Sequence, residues 1–182
     1  MVETLPADAD VALVRRAAEG DEAAFKALFD RHAPLVFNVA LRMLNNRAEA
    51  EDLMQEVWLV VFREIATFRG ESRFSTWLTS ITANRCINRA VQVKRQSAHR
   101  DRFAAEAPRE QAPAERDDER LQQVLAKLPD QYRLLATLRY VMGASYEEIA
   151  ETLSCPVGTV KSKMHRVHEA LREAFKEVEH EL

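Results

Sequence analysis

Thr159, Lys161, Ser162, Lys163, His165 and Arg166 crowd hydroxyl, ammonium, imidazole and guanidinium groups into eight consecutive positions. Groups of this kind read base edges through directed hydrogen bonds and hold phosphates by charge. Covalent or metal chemistry has no comparable cluster. His32, His99, His165, His168 and His180 are scattered without Cys or carboxylates at ligand spacing, and no glycine-rich phosphate loop is present. No catalytic residue, metal site or cofactor is expected, and the chain does not read as an enzyme.

The elements that must present those groups are legible beside them. Val157, Val160, Met164, Val167 and Leu171 recur at three- and four-residue spacing and predict one buried stripe, with the polar groups on the opposite face and its flanks. Upstream, Ser145 and Glu148 stand three apart ahead of Ile149, Ala150 and Leu153, the pattern of a capping box. Ser154, Cys155 and Pro156 break the first helix, and Pro156 suits the first turn of the second. The pattern fits a helix-turn-helix with a DNA-reading second helix. An ordinary helix pair with a solvated charged face would show the same spacing.

A second constellation lies earlier. Over residues 51–68, Leu53, Met54, Val57, Trp58, Val61 and Ile65 form a core stripe, while Asp52, Gln55, Glu56, Leu59 and Arg63 form another face. Two carboxylates and an amide beside a leucine suit an arginine-rich partner helix, although a solvated acidic face has the same spacing. After Gly70 a new helix is expected, capped by Ser75 and anchored by Trp77, Leu78 and Ile81. Its later part carries Asn84, Arg85, Asn88, Arg89 and Arg95. From Arg69 to Arg100 there are seven basic residues against the single acid Glu71, a local nucleic-acid footprint. Phe74 could stack on an unpaired base, core packing being its other use.

Composition bounds these readings. The 182 residues are 47% hydrophobic and 30% charged with only 4 glycines, which places the chain among globular, helix-rich proteins. The expected fold class is all-α. No secretory leader is legible and no apolar run approaches the roughly 18 residues of a membrane span, so a cytoplasmic protein without membrane insertion is expected. Cys86 and Cys155 lie far apart and read as reduced thiols. The net charge of −3 would be odd for a freestanding DNA binder, but charge is sorted into blocks. Residues 1–60 hold six Lys and Arg against eleven Asp and Glu, residues 61–100 eight against two, and residues 101–120 four against seven. Such sorting fits a protein that meets both a basic protein partner and a nucleic acid.

Helical periodicity runs from about Val11 to Arg95, with breaks expected at Gly20-Asp21, Ala33-Pro34, Asn45-Asn46 and residues 69–72. Two small helical domains are therefore expected at 11–96 and 119–182. A flexible linker should join them over 97–118, where Pro108, Pro113 and alternating Ala and charge replace apolar periodicity.

Taken in order, Ala50-Glu-Asp-Leu-Met-Gln-Glu-Val-Trp-Leu59, Phe74-Ser-Thr-Trp-Leu78, Ile81-Thr-Ala-Asn-Arg85, Leu128-Pro-Asp-Gln-Tyr-Arg133, Tyr146-Glu-Glu-Ile-Ala150 and Pro156-Val-Gly-Thr-Val-Lys-Ser162 closely resemble an extracytoplasmic-function sigma factor of bacterial RNA polymerase. The resemblance implies an initiation subunit with regions 2 and 4 on either side of a linker, working with core RNA polymerase and promoter DNA and restrained by an anti-sigma factor. By matched position, Asp52, Gln55, Glu56 and Leu59 would dock on the polymerase clamp helices. The segment Arg73 to Arg95 would bind the minus-ten element, with Phe74 in it, Asn84 beside a flipped-out base, and Arg85, Asn88, Arg89 and Arg95 supporting strand and duplex. Lys161, Ser162 and Arg166 would read the minus-thirty-five element while Thr159 and Lys163 hold phosphates. Asn88 stands where many members carry aspartate, and His165 and His168 are uncommon, so only the binding mode transfers. A dimeric helix-turn-helix regulator is the rival reading, against which the second basic footprint argues.

Overall fold

A computed structural model describes residues 7–100 and 116–180, with side chains over 10–92 and 119–178. All regular structure among the described residues is helical: α1 (Ala7–Ala18), α2 (Glu22–Leu44), α3 (Arg47–Glu64), α4 (Phe74–Arg100), α5 (Arg116–Lys127), α6 (Asp130–Ala136), α7 (Tyr146–Thr152) and α8 (Val157–His180).

Short polar residues set the first boundaries. Asp21 Oδ1 accepts the N–H groups of Ala23 and Ala24 at 3.0 Å each and starts α2. Asn45 adopts the left-handed conformation (φ 50°) and returns its N–H to Leu41, ending α2, and Asn46 then caps α3 through the N–H of Glu49. The break expected at Ala33-Pro34 does not occur: α2 runs through Pro34. An interior proline costs about 3 kcal/mol. Leu28, Val36, Val39 and Met43, at most 1% exposed on both sides of it, bury more than enough apolar surface to offset that cost.

The first four helices enclose these residues together with Leu53, Val57, Val61 and Leu78, each fully buried. α4 begins at Phe74, where Arg73 stands at the cap position: its carbonyl accepts the N–H groups of Thr76 and Trp77. Ser75 is thus inside the helix and not its cap, and its carbonyl takes the Thr79 hydroxyl at 2.6 Å. The chain offered a short polar residue two positions late for that task. α4 reaches Arg100 and α5 starts at Arg116, so helix covers both ends of the expected linker, while 101–115 lie outside the described residues.

In the second half, α6 passes directly into a π-helical turn at Thr137–Val141, where Met142 donates to the Thr137 carbonyl at 3.0 Å. Gly143 at φ 70° then reverses the chain into α7. Arg139 braces this corner, donating to the Ala144 carbonyl at 2.8 Å with its guanidinium over the Tyr146 ring. The four helices share Leu125, Leu134, Leu138, Ile149, Val160, Met164 and Val167 as core.

The two halves also touch. Arg133 donates to the carbonyls of Leu125, Ala126 and Leu128 at the end of α5, and across to Met43 near the end of α2 at 2.7 Å. Gln122 Nε2 adds a bond to the Leu41 carbonyl at 3.1 Å. One guanidinium therefore closes two helix ends, each of which would otherwise leave carbonyls unsatisfied.

Candidate nucleic-acid interface

The α7–α8 pair has the geometry its sequence calls for. Ser145 Oγ accepts the Glu148 N–H at 3.1 Å and Glu148 Oε2 accepts the Ser145 N–H at 2.8 Å, a complete capping box. The Ser145 N–H holds the Glu148 carboxyl below the usual glutamate range, opposed by partial burial. Ser154 turns the corner at φ 48°, and Cys155 returns its N–H to Ala150 at 2.9 Å. Pro156 stands just before α8, its carbonyl accepting from Thr159 and Val160.

Along α8, Val160, Met164 and Val167 are buried, and Val157 and Leu171 are half-buried beside them. Lys161, Ser162, Lys163, His165 and Arg166 are exposed and Thr159 is half-buried at the flank. The helix thus presents hydroxyl, ammonium and guanidinium groups with no large apolar side chain among them, ready for base edges and phosphates. His168, from the next turn, pairs its Nε2 with the Tyr140 hydroxyl and ties α8 to the π-helical turn.

On α3 the expected two faces are present. Leu53, Val57, Trp58, Val61 and Ile65 are buried, whereas Asp52 and Gln55 are exposed and Glu56 half-buried. Leu59 is 57% exposed and continues that polar face. Sequence reasoning missed Phe62, which is 65% exposed with its ring edge-on to Phe25 at 5.3 Å. Its position three after Leu59 was the available signal.

On α4 the arrangement is less simple. Asn84, Arg85 and Asn88 lie on the exposed face, and Arg95 falls in the part of α4 whose side chains are not described. Phe74 is 3% exposed, enclosed by His32, Phe68 and Trp77 with ring centroids 5.2 to 6.0 Å away, so its ring has no face open to a base. As the first residue of α4, Phe74 points into the bundle that α4 closes, and it is Trp77 that stays half-buried. Arg89 is also engaged: Nη1 donates to Glu49 Oε2 at 2.7 Å and Nη2 to Glu56 Oε1. One expected DNA contact thus grips one expected polymerase contact.

Cys86 is fully buried on α4 and burial pushes its thiol up to about 12. Neither Cys86 nor Cys155 is bonded to another cysteine. Among the described residues no three His, Cys, Asp or Glu side chains are grouped to hold a metal, and no helix is long and apolar enough to cross a membrane.

Family models match both halves in order: sigma-70 region 2 over residues 28–96 and sigma-70 region 4 over residues 118–171. The RNA polymerase sigma-H factor of Pseudomonas aeruginosa is 31% identical, covering 94% of this chain and 96% of that protein. The ECF RNA polymerase sigma-E factor of Escherichia coli K12 is 35% identical over 89% of this chain and 92% of its own length. Among solved structures, the sigma factor RpoE in complex with the anti-sigma factor NepR, from Bartonella quintana, superposes with a TM-score of 0.70 at 25% identity, covering 84% of this chain and 96% of that one. Two ordered region matches and full-length relatives of one kind place the chain among the extracytoplasmic-function sigma factors of the sigma-70 family.

Proposed function

We propose that this sigma factor joins core RNA polymerase through α3 and brings it to promoters with two DNA-reading faces, one on α4 and one on α8. Asp52, Gln55, Glu56 and Leu59 form the docking face, suited by charge to a basic partner helix. Asn84, Arg85 and Asn88 on α4 engage the minus-ten element, with Arg95 farther along the helix. Asn84 sits beside an extruded base, whose capture offsets the few kcal/mol of unstacking. On α8, Lys161, Ser162 and Arg166 read the minus-thirty-five element and Thr159 and Lys163 hold phosphates. The region 2 unit spans 11–96 and the region 4 unit 119–182, and polymerase spaces these two modest grips into one strong one.

The observation that carries this reading is the exposed, cation-bearing face on each of α4 and α8, in a chain whose net charge is −3. Local charge suffices for contact, but the acidic whole binds DNA weakly without a partner. An anti-sigma factor restrains the protein by covering these faces, as the complex of RpoE with NepR leads us to infer.

Run-off transcription tests the proposal. Core polymerase plus this protein and a randomised promoter library should yield transcripts sharing two upstream elements at fixed spacing. Tight binding of a single palindrome by the protein alone, with no sigma-dependent transcripts, would overturn it in favour of a dimeric regulator.

A further inference from the structure

Arg89 lies on the helix assigned to the minus-ten element, yet its guanidinium faces α3. Its two terminal nitrogens reach Glu49 and Glu56, which are seven residues apart on α3, so one fork spans two helical turns. The side chain is 20% exposed, against 37% for Glu49 and 45% for Glu56. The three groups carry a net −1, which leaves the arginine no surplus charge to offer a phosphate.

Glu49 has no other task in the site. Its N–H helps start α3 by bonding to Asn46 Oδ1, and its carboxylate points to Arg89. Asn84 and Asn88 meanwhile are exposed on α4, along the line next to that of Arg89. Fixing Arg89 therefore fixes the rotation and height of those amides relative to Asp52 and Glu56.

We propose that Glu49 and Arg89 are positioning residues for promoter opening. The fork holds the strand-capturing face of α4 in register with the polymerase-docking face of α3, and Arg89 does not bind DNA itself. Because Glu49 is a second acceptor, Arg89 stays anchored when a polymerase cation draws on Glu56. The inference rests on the assignment of α3 and α4 made above.

The test uses holoenzyme reconstituted on a promoter recovered from the run-off library, reading permanganate reactivity of unpaired thymines per bound complex. Arg89→Lys keeps the charge but cannot fork, and opening should fall roughly tenfold. Glu49→Gln should also reduce opening, by about threefold, and the double variant should be no worse than Arg89→Lys alone. The salt dependence of binding should stay as in the wild type.

A phosphate-binding Arg89 gives opposite signs. Lysine would then substitute well, Glu49→Gln would strengthen binding by releasing the cation, and Arg89→Ala would lower the salt slope by about one. Any of those three results overturns the proposal. Helical circular dichroism on each variant confirms folding, and each substitution keeps a polar side chain of similar length at a part-exposed position. Failure of the wild-type protein to open any promoter would instead strike the assignment of function on which the inference stands.

Discussion

α4 and α8 are both long helices, of 27 and 24 residues, with cations and short polar groups on an outer face. What they do with their cations differs. α8 is attached along one stripe, and among the described residues no carboxylate pairs with Lys161, Lys163 or Arg166. α4 is enclosed on two sides, burying Phe74, Leu78, Thr82 and Cys86 along one line and Thr76, Thr79 and Ala83 along another. It packs on α2 and α3 and also meets α7. A helix held at its edge leaves its charges exposed, whereas a helix held around half its circumference turns some of them into scaffold. Residue type alone does not distinguish Arg166 from Arg89; the carboxylates opposite Arg89 do.

The largest expected effect breaks the α3–α4 half while sparing α8. Asp52→Arg places a cation against the basic surface expected of the polymerase, and like-charge contact costs several kcal/mol. Association with core polymerase should weaken by more than about a hundredfold, measured by anisotropy of labelled protein. Asp52 is the position to change because Glu56→Arg would also set a second guanidinium against Arg89. An unchanged affinity would remove α3 from the docking surface and, with it, the contrast between the halves.

The next effect sharpens the α8 side. Arg166→Ala should cost about 1–3 kcal/mol at one upstream base pair and relax preference there, whereas Lys163→Ala should weaken all sequences alike and lower the salt slope by about one. Binding of holoenzyme to a promoter library at several salt concentrations separates the two. If both variants weaken all sequences equally, α8 holds phosphates without reading bases.

How far the sequence disclosed these features follows the same divide. The capping box at Ser145 and Glu148, the corner at Ser154 to Pro156 and the α8 stripe were legible because each depends on residues within one or two turns. The two faces of α3 were legible for the same reason. Local spacing misled wherever a distant element decided the outcome. Pro34 stays helical because its flanking residues are buried by other helices. Phe74 is core because Phe68 and His32 close over it from outside α4. Arg89 is occupied by carboxylates forty and thirty-three positions away in the chain. The π-helical turn after α6 and the grip of Arg133 on Met43 left no periodic mark to find.

The smallest effect concerns the entry to the α7–α8 pair and is purely one of stability. Ser145→Ala removes the oxygen that accepts the Glu148 N–H, and loss of such a cap costs about 0.5–2 kcal/mol. Near 1 kcal/mol this lowers Tm by roughly 2–4 °C in a chain of this size. Glu148 gives the same box a pH dependence. Its carboxyl is held below the usual 4.5 by the Ser145 N–H, so the folded state binds that proton less readily than the unfolded chain. Its contribution is complete above the unfolded value and declines as pH falls through 4.5 toward the depressed folded value. Glu148→Gln should therefore lower Tm slightly at neutral pH and flatten the loss of stability between about pH 5 and pH 3. Since α8 has one attachment stripe and α4 has two, the change should appear as earlier hydrogen exchange in α7 and α8 while α2 to α4 keep their protection. Equal loosening of both halves would mean that the contacts between them, those of Arg133 and Gln122 with the end of α2 and of Arg73 with Glu148, bind them into a single cooperative unit, and the contrast between an edge-held and an enclosed helix would then apply to their surfaces alone.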